Sequence, residues 1–314
     1  MSSEYKRLFV YSFYRFVDIT DVFETKNILE QFLQDKNIRG TILIANEGIN
    51  GSLSGQKTDL YHLIKKIKKI LNIRKLDLKI NKHDFFTFNK LKIKIKKEIV
   101  TLGKGKIDIK KMRGNLIDPS KWNELIADKD TIVLDVRNNF EIDIGNFEGS
   151  IRPNTNSFRE FPEAIKKYKF SRNSQIAMYC TGGIRCEKAS AHLKLRGFTN
   201  VYQLKGGIIN YIQYIKKNKT KSKWKGDCFV FDNRIALDEN LHSGKYVQCY
   251  ACRRPLKISE TKLKSYIKGT SCKYCIKTRS QSQKKRSATR QFQIDKAEKK
   301  GSPHPFKKIS LNYI

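Results

Sequence analysis

The first hundred residues alternate between apolar runs with strand character and amphipathic stretches with helical spacing. Strands are indicated by aromatic and β-branched residues, and helices by apolar residues that recur every three or four positions. The predicted elements are strand 6–17, helix 21–34, strand 40–45, a tight turn over 46–51 that leads into a short strand, helix 58–71 and strand 75–80. This order, strand–helix–strand–strand–helix–strand, predicts a ferredoxin-like α+β domain over residues 1–98.

A second domain is predicted by short apolar runs at 131–136 and 175–179, which are typical of parallel strands that are buried on both faces. Asp118-Pro119-Ser120 is a typical helix start, and helical patterns separate the apolar runs up to about residue 217. The alternation predicts a doubly wound, parallel-sheet α/β domain over 120–220, preceded by a linker over 99–119. Ligands of such domains bind at the carboxyl ends of the strands.

The chemistry of the chain is concentrated in the loop that follows the predicted strand ending at Tyr179. The loop consists of Cys180, Thr181, Gly182, Gly183, Ile184, Arg185 and Cys186, and its second half opens a predicted helix. Gly182 and Gly183 allow backbone N–H groups to point inward, and the helix start adds a partial positive charge. Such a nest holds an anion and Arg185 adds a positive charge, so we expect Cys180 to be a thiolate nucleophile. The alternative is a buried structural cysteine.

This loop resembles the active-site loop of rhodanese domains, and Asp135-Val136-Arg137 resembles the Asp-x-Arg strand end of that family. The resemblance covers about 120–217. It implies that Cys180 is the active cysteine, that it carries a persulfide, and that Asp135 and Arg137 support the loop. Cys186 either resolves an oxidised or persulfidated Cys180 or packs as a small apolar residue.

Four segments carry a wider resemblance, to the rhodanese-like tRNA uridine hydroxylases. They are residues 40–51, 180–190, 226–232 and 249–252. The resemblance implies hydroxylation of the wobble uridine, position 34 of tRNA, to 5-hydroxyuridine, with molecular oxygen as co-substrate and the tRNA anticodon loop as partner. The residues themselves contain no flavin or NAD motif and no iron-binding set of two histidines and a carboxylate. A persulfide sulfurtransferase and a non-enzymatic RNA-binding protein stay open as alternatives.

Four cysteines form two Cys-x-x-Cys pairs near the carboxyl terminus. The pairs, Cys249 with Cys252 and Cys272 with Cys275, are separated by 19 residues, a spacing found in zinc ribbons. Four thiolates complete a tetrahedral site and stabilise a segment that is too small for its own core. We therefore predict a structural zinc site in a Cys-rich module over 221–276, the alternative being four reduced cysteines. Cys228, in an apolar run, is expected in the core.

The charge of the chain points to a polyanionic partner. Lys and Arg number 65 against 30 Asp and Glu, a net charge of +35, which favours nucleic acid unless it only reflects an AT-rich genome. Lysines alternate with apolar residues over 91–96, and the tail over 277–314 is predicted to be a basic, weakly helical or disordered extension. Each of the two is either a solvated surface or a contact for the RNA backbone. The candidate RNA-binding residues are Lys92, Lys94, Lys96, Lys284, Lys285, Arg286 and Arg290.

A membrane location is not expected. No apolar run reaches the roughly 18 residues of a spanning helix, and the mean hydropathy is −0.58. The first residues lack the apolar stretch of a signal peptide, so the cytoplasm is the expected location.

Overall fold

A computed structural model describes residues 7–105, 107–302 and Pro305. Residue 6 of the first predicted strand, residue 106 of the predicted linker, and residues 303, 304 and 306–314 of the predicted tail lie outside the described residues. The helices and strands of the first domain are β1 (Leu8–Phe16), α1 (Val22–Leu33), β2 (Arg39–Ala45), β3 (Gly48–Gln56), α2 (Lys57–Ile70), β4 (Asp77–His83) and β5 (Leu91–Ile95). The predicted ferredoxin-like order is confirmed, with β5 as an additional strand.

The first sheet has the strand order β4-β1-β3-β2-β5, in which β5 pairs with β2 in parallel and the other pairs are antiparallel. The helices α1 and α2 cover one face, where their buried leucines meet residues such as Ile42 and Leu53. The opposite face carries polar side chains, including Ser12, Asn50 and Lys79. That uncovered face is available to form a site with the rest of the chain.

The predicted turn over 46–51 is shorter than expected. Only Asn46 and Glu47 form the turn, and β3 begins at Gly48 and runs for nine residues. Gly48 has φ +148°, and a Cβ there would lie 2.0 Å from the carbonyl oxygen of Arg15. The glycine is therefore needed for close approach of two strands, which a sequence pattern does not distinguish from a turn.

The second domain contains the helices α3 to α8. Its elements are α3 (Ile109–Met112), β6 (Asn115–Ile117), α4 (Pro119–Leu125), β7 (Thr131–Asp135), α5 (Asn139–Ile142), β8 (Gly145–Phe147), α6 (Phe161–Ala164), β9 (Gln175–Tyr179), α7 (Ile184–Leu195), β10 (Val201–Leu204) and α8 (Gly207–Asn218), with 3-10 turns at Phe158–Glu160 and Ile165–Lys167. The strands β6-β10-β9-β7 form a parallel sheet. Side chains of β9 alternate between two cores, one with α6 and α7 and one with α4 and α8. The predicted doubly wound sheet is confirmed.

The segment predicted as a linker, 99–119, contains regular structure. It holds α3 and β6, and β6 pairs with β10 as the edge strand of the second sheet. A three-residue strand is too short to leave a periodic pattern in the sequence. The helix predicted at Pro119 is present, but the Asp118 carboxylate pairs with Lys205 (2.8 Å) instead of capping the helix. The limits of the domains stay predictions.

The carboxyl-terminal part is built from short strands and one long helix. The strands are β11 (Trp224–Gly226), β12 (Cys228–Phe229), β13 (Ala236–Leu237), β14 (Tyr246–Gln248) and β15 (Pro255–Lys257), followed by a 3-10 turn at Ile258–Lys262 and by α9 (Gln281–Lys299). Strand β11 pairs with β8 of the second domain, and Cys228 lies in that domain's core, as predicted.

The segment after Cys275 differs from the prediction of a weakly helical or disordered tail. The helix α9 has 19 residues and begins with a capping box between Ser280 and Gln283. Arg279 donates hydrogen bonds to the carbonyl of Ala251 and the hydroxyl of Ser287, both at 2.8 Å. The helix lacks an apolar stripe, so its packing against the Cys-rich module through polar contacts left no hydrophobic pattern to find. Throughout the described residues, every helix is too short or too polar to cross a bilayer.

Candidate active site

The loop singled out in the sequence lies between β9 and α7. Strand β9 ends at Tyr179, and α7 begins at Ile184 after Gly183, whose φ of 98° is accessible mainly to glycine. The side chain of Cys180 is buried, and its Sγ accepts a hydrogen bond from the backbone N–H of Gly183 at 3.1 Å. The structure thus brings the thiol, the curled backbone and the start of a helix together at the carboxyl end of a parallel strand.

The surroundings of Cys180 favour its thiolate. Burial by itself raises the pKa of Cys180. The Cys186 thiol, the charge of Arg185 and the backbone N–H groups of Cys186 and Gly183 lower it by more than burial raises it, so that the pKa is about 5. Burial and the adjacent Cys180 hold the pKa of Cys186 well above its ordinary value. At neutral pH, Cys186 is therefore a neutral thiol that donates a hydrogen bond to the Cys180 thiolate.

Arg185 is held in place by Glu141, a residue to which the sequence analysis gave no role. The guanidinium forms two hydrogen bonds to the carboxylate, Nη1 to Oε1 at 2.6 Å and Nη2 to Oε2 at 2.7 Å. Glu141 is fully buried; burial raises its pKa, but Arg185 and Arg137 lower it below the ordinary value. Two signals in the sequence mark Glu141, namely the Asn138-x-x-Glu141 capping box and its place in the segment that resembles the one after the Asp-x-Arg strand end of rhodanese domains.

Asp135 and Arg137 lie next to the loop, and none of their hydrogen bonds among the described residues goes to Cys180. Their side chains are fully buried and paired, with Nη2 of Arg137 2.6 Å from Oδ2 of Asp135. Arg137 also donates to the carbonyls of Gly145 (2.6 Å) and Glu141 (3.2 Å). The pair thereby fixes the segment that carries Glu141, which is consistent with a supporting role.

The same arrangement recurs at Asp232 and Arg234, which the sequence analysis missed. In this pair Nε lies 2.9 Å from Oδ1 and Nη2 lies 2.6 Å from Oδ2, the distances found between Arg137 and Asp135. Both residues are buried. A repeat of the Asp-x-Arg pattern was visible in the sequence and would have identified them.

A cleft of about 510 Å³ lies between the loop and the uncovered face of the first sheet. The sheet contributes Ser12, Tyr14, Thr41, Asn50, Ser52, Lys79 and Asn81, the second domain contributes Cys180, Thr181, Gly182 and Arg185, and the segment after β12 contributes Phe231, Asp232 and Arg234. Sequence reasoning missed the sheet residues because a pattern along one strand does not identify what faces it across the fold.

Four polar side-chain contacts among the described residues join the first domain to the loop and to α7. Lys79 Nζ donates to the carbonyl of Gly182 at 2.7 Å, and the Tyr14 hydroxyl donates to Glu187 at 3.3 Å. The buried Lys188 ammonium lies 2.7 Å from Glu47 and 2.6 Å from Glu98. These contacts fix the sheet face and the loop relative to each other, so that the cleft has a defined shape.

The four paired cysteines meet in a separate site. Their four Sγ atoms lie within 4.8 Å of one another. Individual separations are 3.9 Å for Cys249–Cys275 and 3.7 Å for both Cys252–Cys272 and Cys272–Cys275. A tetrahedron with zinc–sulfur bonds of about 2.3 Å has sulfur–sulfur edges of about 3.8 Å. The donor set and its geometry therefore fit one zinc ion.

The candidate RNA-binding residues are placed in two groups. Lys92, Lys94 and Lys96 are exposed on one side of β5 and its extension, and Lys285 and Arg286 are exposed on α9, with Lys284 half-buried. Arg290 differs, because its Nη2 donates to the carbonyls of Tyr250 (2.9 Å) and Gly269 (3.3 Å). This contact favours a structural role for Arg290, in which it holds α9 against the Cys-rich module.

The charge state of Cys180 can be measured directly. The ultraviolet absorbance of the thiolate is measured as pH is raised, and the absorbance of Cys180→Ser is subtracted from that of the wild type. We expect this difference to rise with a midpoint near pH 5, because the pKa of Cys180 is about 5. Below that pH the thiol is protonated and above it the thiolate is present. Arg185→Gln should move the midpoint upward, since it removes a positive charge. A wild-type midpoint near the ordinary thiol value of about 8.5 would contradict this account.

Comparison with known proteins agrees with this division of the chain. Residues 8–99 match the family model described as the UPF0176 acylphosphatase-like domain, and residues 118–213 match that of the rhodanese-like domain. A protein of Pelagibacter ubique (strain HTCC1062), named tRNA uridine(34) hydroxylase, is 50% identical over 300 residues, which cover 95% of this chain and 98% of that protein. Among solved structures, a rhodanese-related protein from Thermoplasma volcanium is 30% identical over 32% of this chain and 92% of that one, with a TM-score of 0.28.

Proposed function

The chain belongs to the family of tRNA uridine(34) hydroxylases, and from this membership we propose that it hydroxylates the wobble uridine of tRNA to 5-hydroxyuridine, as an oxidoreductase with molecular oxygen as co-substrate. The observation that carries the proposal is the 50% identity over 95% of the chain. The site adds chemical support, because it presents an ionised cysteine beside a cleft between two domains. We assign Cys180 as the reactive group.

The cleft suits a base that has left its stack. Its volume of about 510 Å³ is within the range of small-molecule sites, and it is lined by aromatic side chains as well as polar ones. Enzymes that modify a base need access to the ring edge, and an anticodon loop provides unstacked bases at low energetic cost. We therefore propose that uridine 34 enters this cleft. A tRNA substrate also favours the cytoplasm as the location.

A structural zinc ion is the second part of the proposal. Cys249, Cys252, Cys272 and Cys275 would hold it, and a site with four thiolate ligands leaves no open position for substrate. When bound, the ion would supply stability to the module and no chemistry at the base. The fit of the sulfur separations to a zinc tetrahedron supports this assignment.

Mass spectrometry of tRNA nucleosides tests the proposed function. A strain that lacks the gene should lose 5-hydroxyuridine from its tRNA and regain it when the gene is restored. Loss of a thiouridine instead would identify a sulfurtransferase, to which the anion-binding loop around Cys180 is equally suited. If the nucleosides of the deletion strain are unchanged, the protein is an RNA-binding protein without enzymatic activity.

Binding of tRNA should depend on the two exposed basic surfaces. Each phosphate that is neutralised releases counterions, so tRNA affinity should fall steeply as salt rises. Two triple variants test this, one with glutamine in place of three lysines of the β5 face and one with glutamine in place of three basic residues of α9. Each variant should reduce the steepness of the plot of log affinity against log salt by about 2. The two triple variants replace Lys92, Lys94 and Lys96, and Lys284, Lys285 and Arg286. Arg290 is left intact because it holds the module together.

A third variant serves as the control for this measurement. It replaces three exposed lysines of the second domain, Lys166, Lys167 and Lys169, with glutamine and removes the same charge. We expect its salt slope to match the wild type. If the β5 and α9 variants also keep the wild-type slope, those surfaces are solvated and do not bind RNA.

A further inference from the structure

Three cationic side chains line the cleft, and two of them are paired with carboxylates. Arg185 is paired with Glu141 and Arg234 with Asp232, each with a nitrogen 2.6 Å from an oxygen. Lys79 has no carboxylate oxygen within 4.0 Å among the described residues. Its ammonium donates instead to the neutral carbonyl of Gly182. Of the three cations, Lys79 is therefore the one whose charge no carboxylate of the described residues pairs with, so it can pair with a ligand.

The position of Lys79 makes an unpaired charge costly. The side chain is half-buried, and its ammonium lies 5.6 Å from the centre of the Tyr14 ring. Burial lowers the pKa of Lys79, while the nearby Asp77, Cys180 and Glu187 raise it in part. The free-energy cost of burying part of a charge is offset when a bound ligand accepts a hydrogen bond from that charge. An ammonium has three N–H donors, so hydrogen-bonding capacity remains after the bond to Gly182.

Several other polar groups on this face are already bonded within the protein. Asn50 Nδ2 donates to the carbonyl of Ile99 at 3.0 Å, and Asn81 Oδ1 accepts from Gln213 at 3.1 Å. The hydroxyls of Ser12 and Ser52 bond to each other at 2.8 Å. Of the described groups that the first sheet presents to the cleft, Lys79 is the one that carries a positive charge, so it is the strongest donor for a ligand.

Uracil chemistry determines what Lys79 would meet. If C5 of the base is modified at Cys180, then O4, on the ring carbon next to C5, must lie beside the loop. Lys79 lies beside this loop, because its ammonium is bonded to the carbonyl of Gly182, two residues after Cys180. Uracil has a carbonyl acceptor at position 4, whereas cytosine has an amino donor there. An ammonium is a donor only, so it bonds the first and repels the second.

We infer that Lys79 donates a hydrogen bond to O4 of uridine 34 and thereby makes the enzyme select uridine over cytidine at that position. This role rests on the proposed function and assigns to the first domain a part in substrate choice. Lys79 is then a specificity-determining residue that touches the base, and the bond to Gly182 aligns it with the loop.

The test compares two tRNA transcripts that differ only in uridine or cytidine at position 34. Values of kcat and KM for hydroxylation of each are measured with the wild type, Lys79→Met and Lys79→Gln. We expect Lys79→Met to lower kcat/KM for the uridine transcript by about tenfold or more, as befits the loss of a charged hydrogen bond, and to reduce the preference for uridine. Lys79→Gln should also reduce the preference, because an amide both donates and accepts and therefore serves either base.

Lys82→Met is the matched control, since Lys82 is exposed on the other face of the same strand and carries the same charge. It should affect both transcripts equally and keep the wild-type preference. An unchanged preference in both Lys79 variants would overturn the inference. If the wild type hydroxylates neither transcript, the proposed function itself fails and the inference fails with it; this outcome is distinguishable because it appears before any residue is changed.

Discussion

Cys180→Ser should lower kcat for tRNA hydroxylation by about a thousandfold or more while leaving the fold intact. The reason is the ionisation state: the pKa of Cys180 is about 5, so the thiolate is present at neutral pH, whereas a serine hydroxyl in the same place stays protonated. The substitution nearly conserves volume, so the surrounding packing should hold. Product formation is measured by nucleoside mass spectrometry, and folding by the thermal unfolding midpoint.

Cys228→Ala is the matched control for that variant. Cys228 is also fully buried, but burial raises its pKa to about 12, so it remains a neutral thiol in an apolar core. Its replacement should cost on the order of 1 kcal/mol of stability and leave kcat unchanged. Wild-type activity in Cys180→Ser, or an equal loss of activity in both variants, would contradict a role of Cys180 in the reaction.

Removal of zinc should unfold the part of the Cys-rich module from β14 to Cys275 without disturbing the second domain. The purified protein is expected to carry about one zinc ion per chain. The buried apolar cluster around the metal site consists of Cys249, Cys272 and Cys275 with Leu256, so little besides the metal can stabilise the segment from β14 to Cys275. Structural zinc contributes on the order of 10 kcal/mol to the folding of such small modules. The effect on local stability should therefore be large.

Hydrogen exchange before and after chelation measures this effect. Protection should be lost over β14 and β15, and also over α9, because Arg279 and Arg290 hold that helix against the module. Protection over β9 and α7 should be unchanged. Cys249→Ser should reproduce the pattern of the chelated protein, and Cys228→Ser should not. A metal-free preparation with full protection over β14 and β15 would contradict the zinc assignment.

The sequence allowed prediction of those features that leave a periodic or local pattern. The loop over 180–186 was recognisable because its glycines, cysteine and arginine are adjacent, and the four zinc-binding candidates because Cys-x-x-Cys pairs are compact. Strands β7 and β9 were recognisable as short apolar runs.

Contacts between distant polar residues were not predictable in this way. Glu141 and Arg185 are 44 residues apart, and Lys79 and Gly182 are 103 residues apart. Single polar residues at such separations follow no periodicity, because their pairing depends on how the two sheets meet. The packing of α9 was missed for a related reason, since its contacts are polar and its buried residues are Ser287 and Gln291.

Labelled dioxygen tests the proposal that this chain uses Cys180 and molecular oxygen to hydroxylate uridine 34. The most direct measurement supplies isotopically labelled dioxygen to a strain that lacks the gene and expresses either the wild type or Cys180→Ser, and analyses its tRNA nucleosides. We predict labelled 5-hydroxyuridine at position 34 with the wild type and none with Cys180→Ser. Unlabelled 5-hydroxyuridine with the wild type would show that the hydroxyl oxygen does not come from dioxygen and would contradict the proposal. Equal labelling in both strains would contradict the role of Cys180.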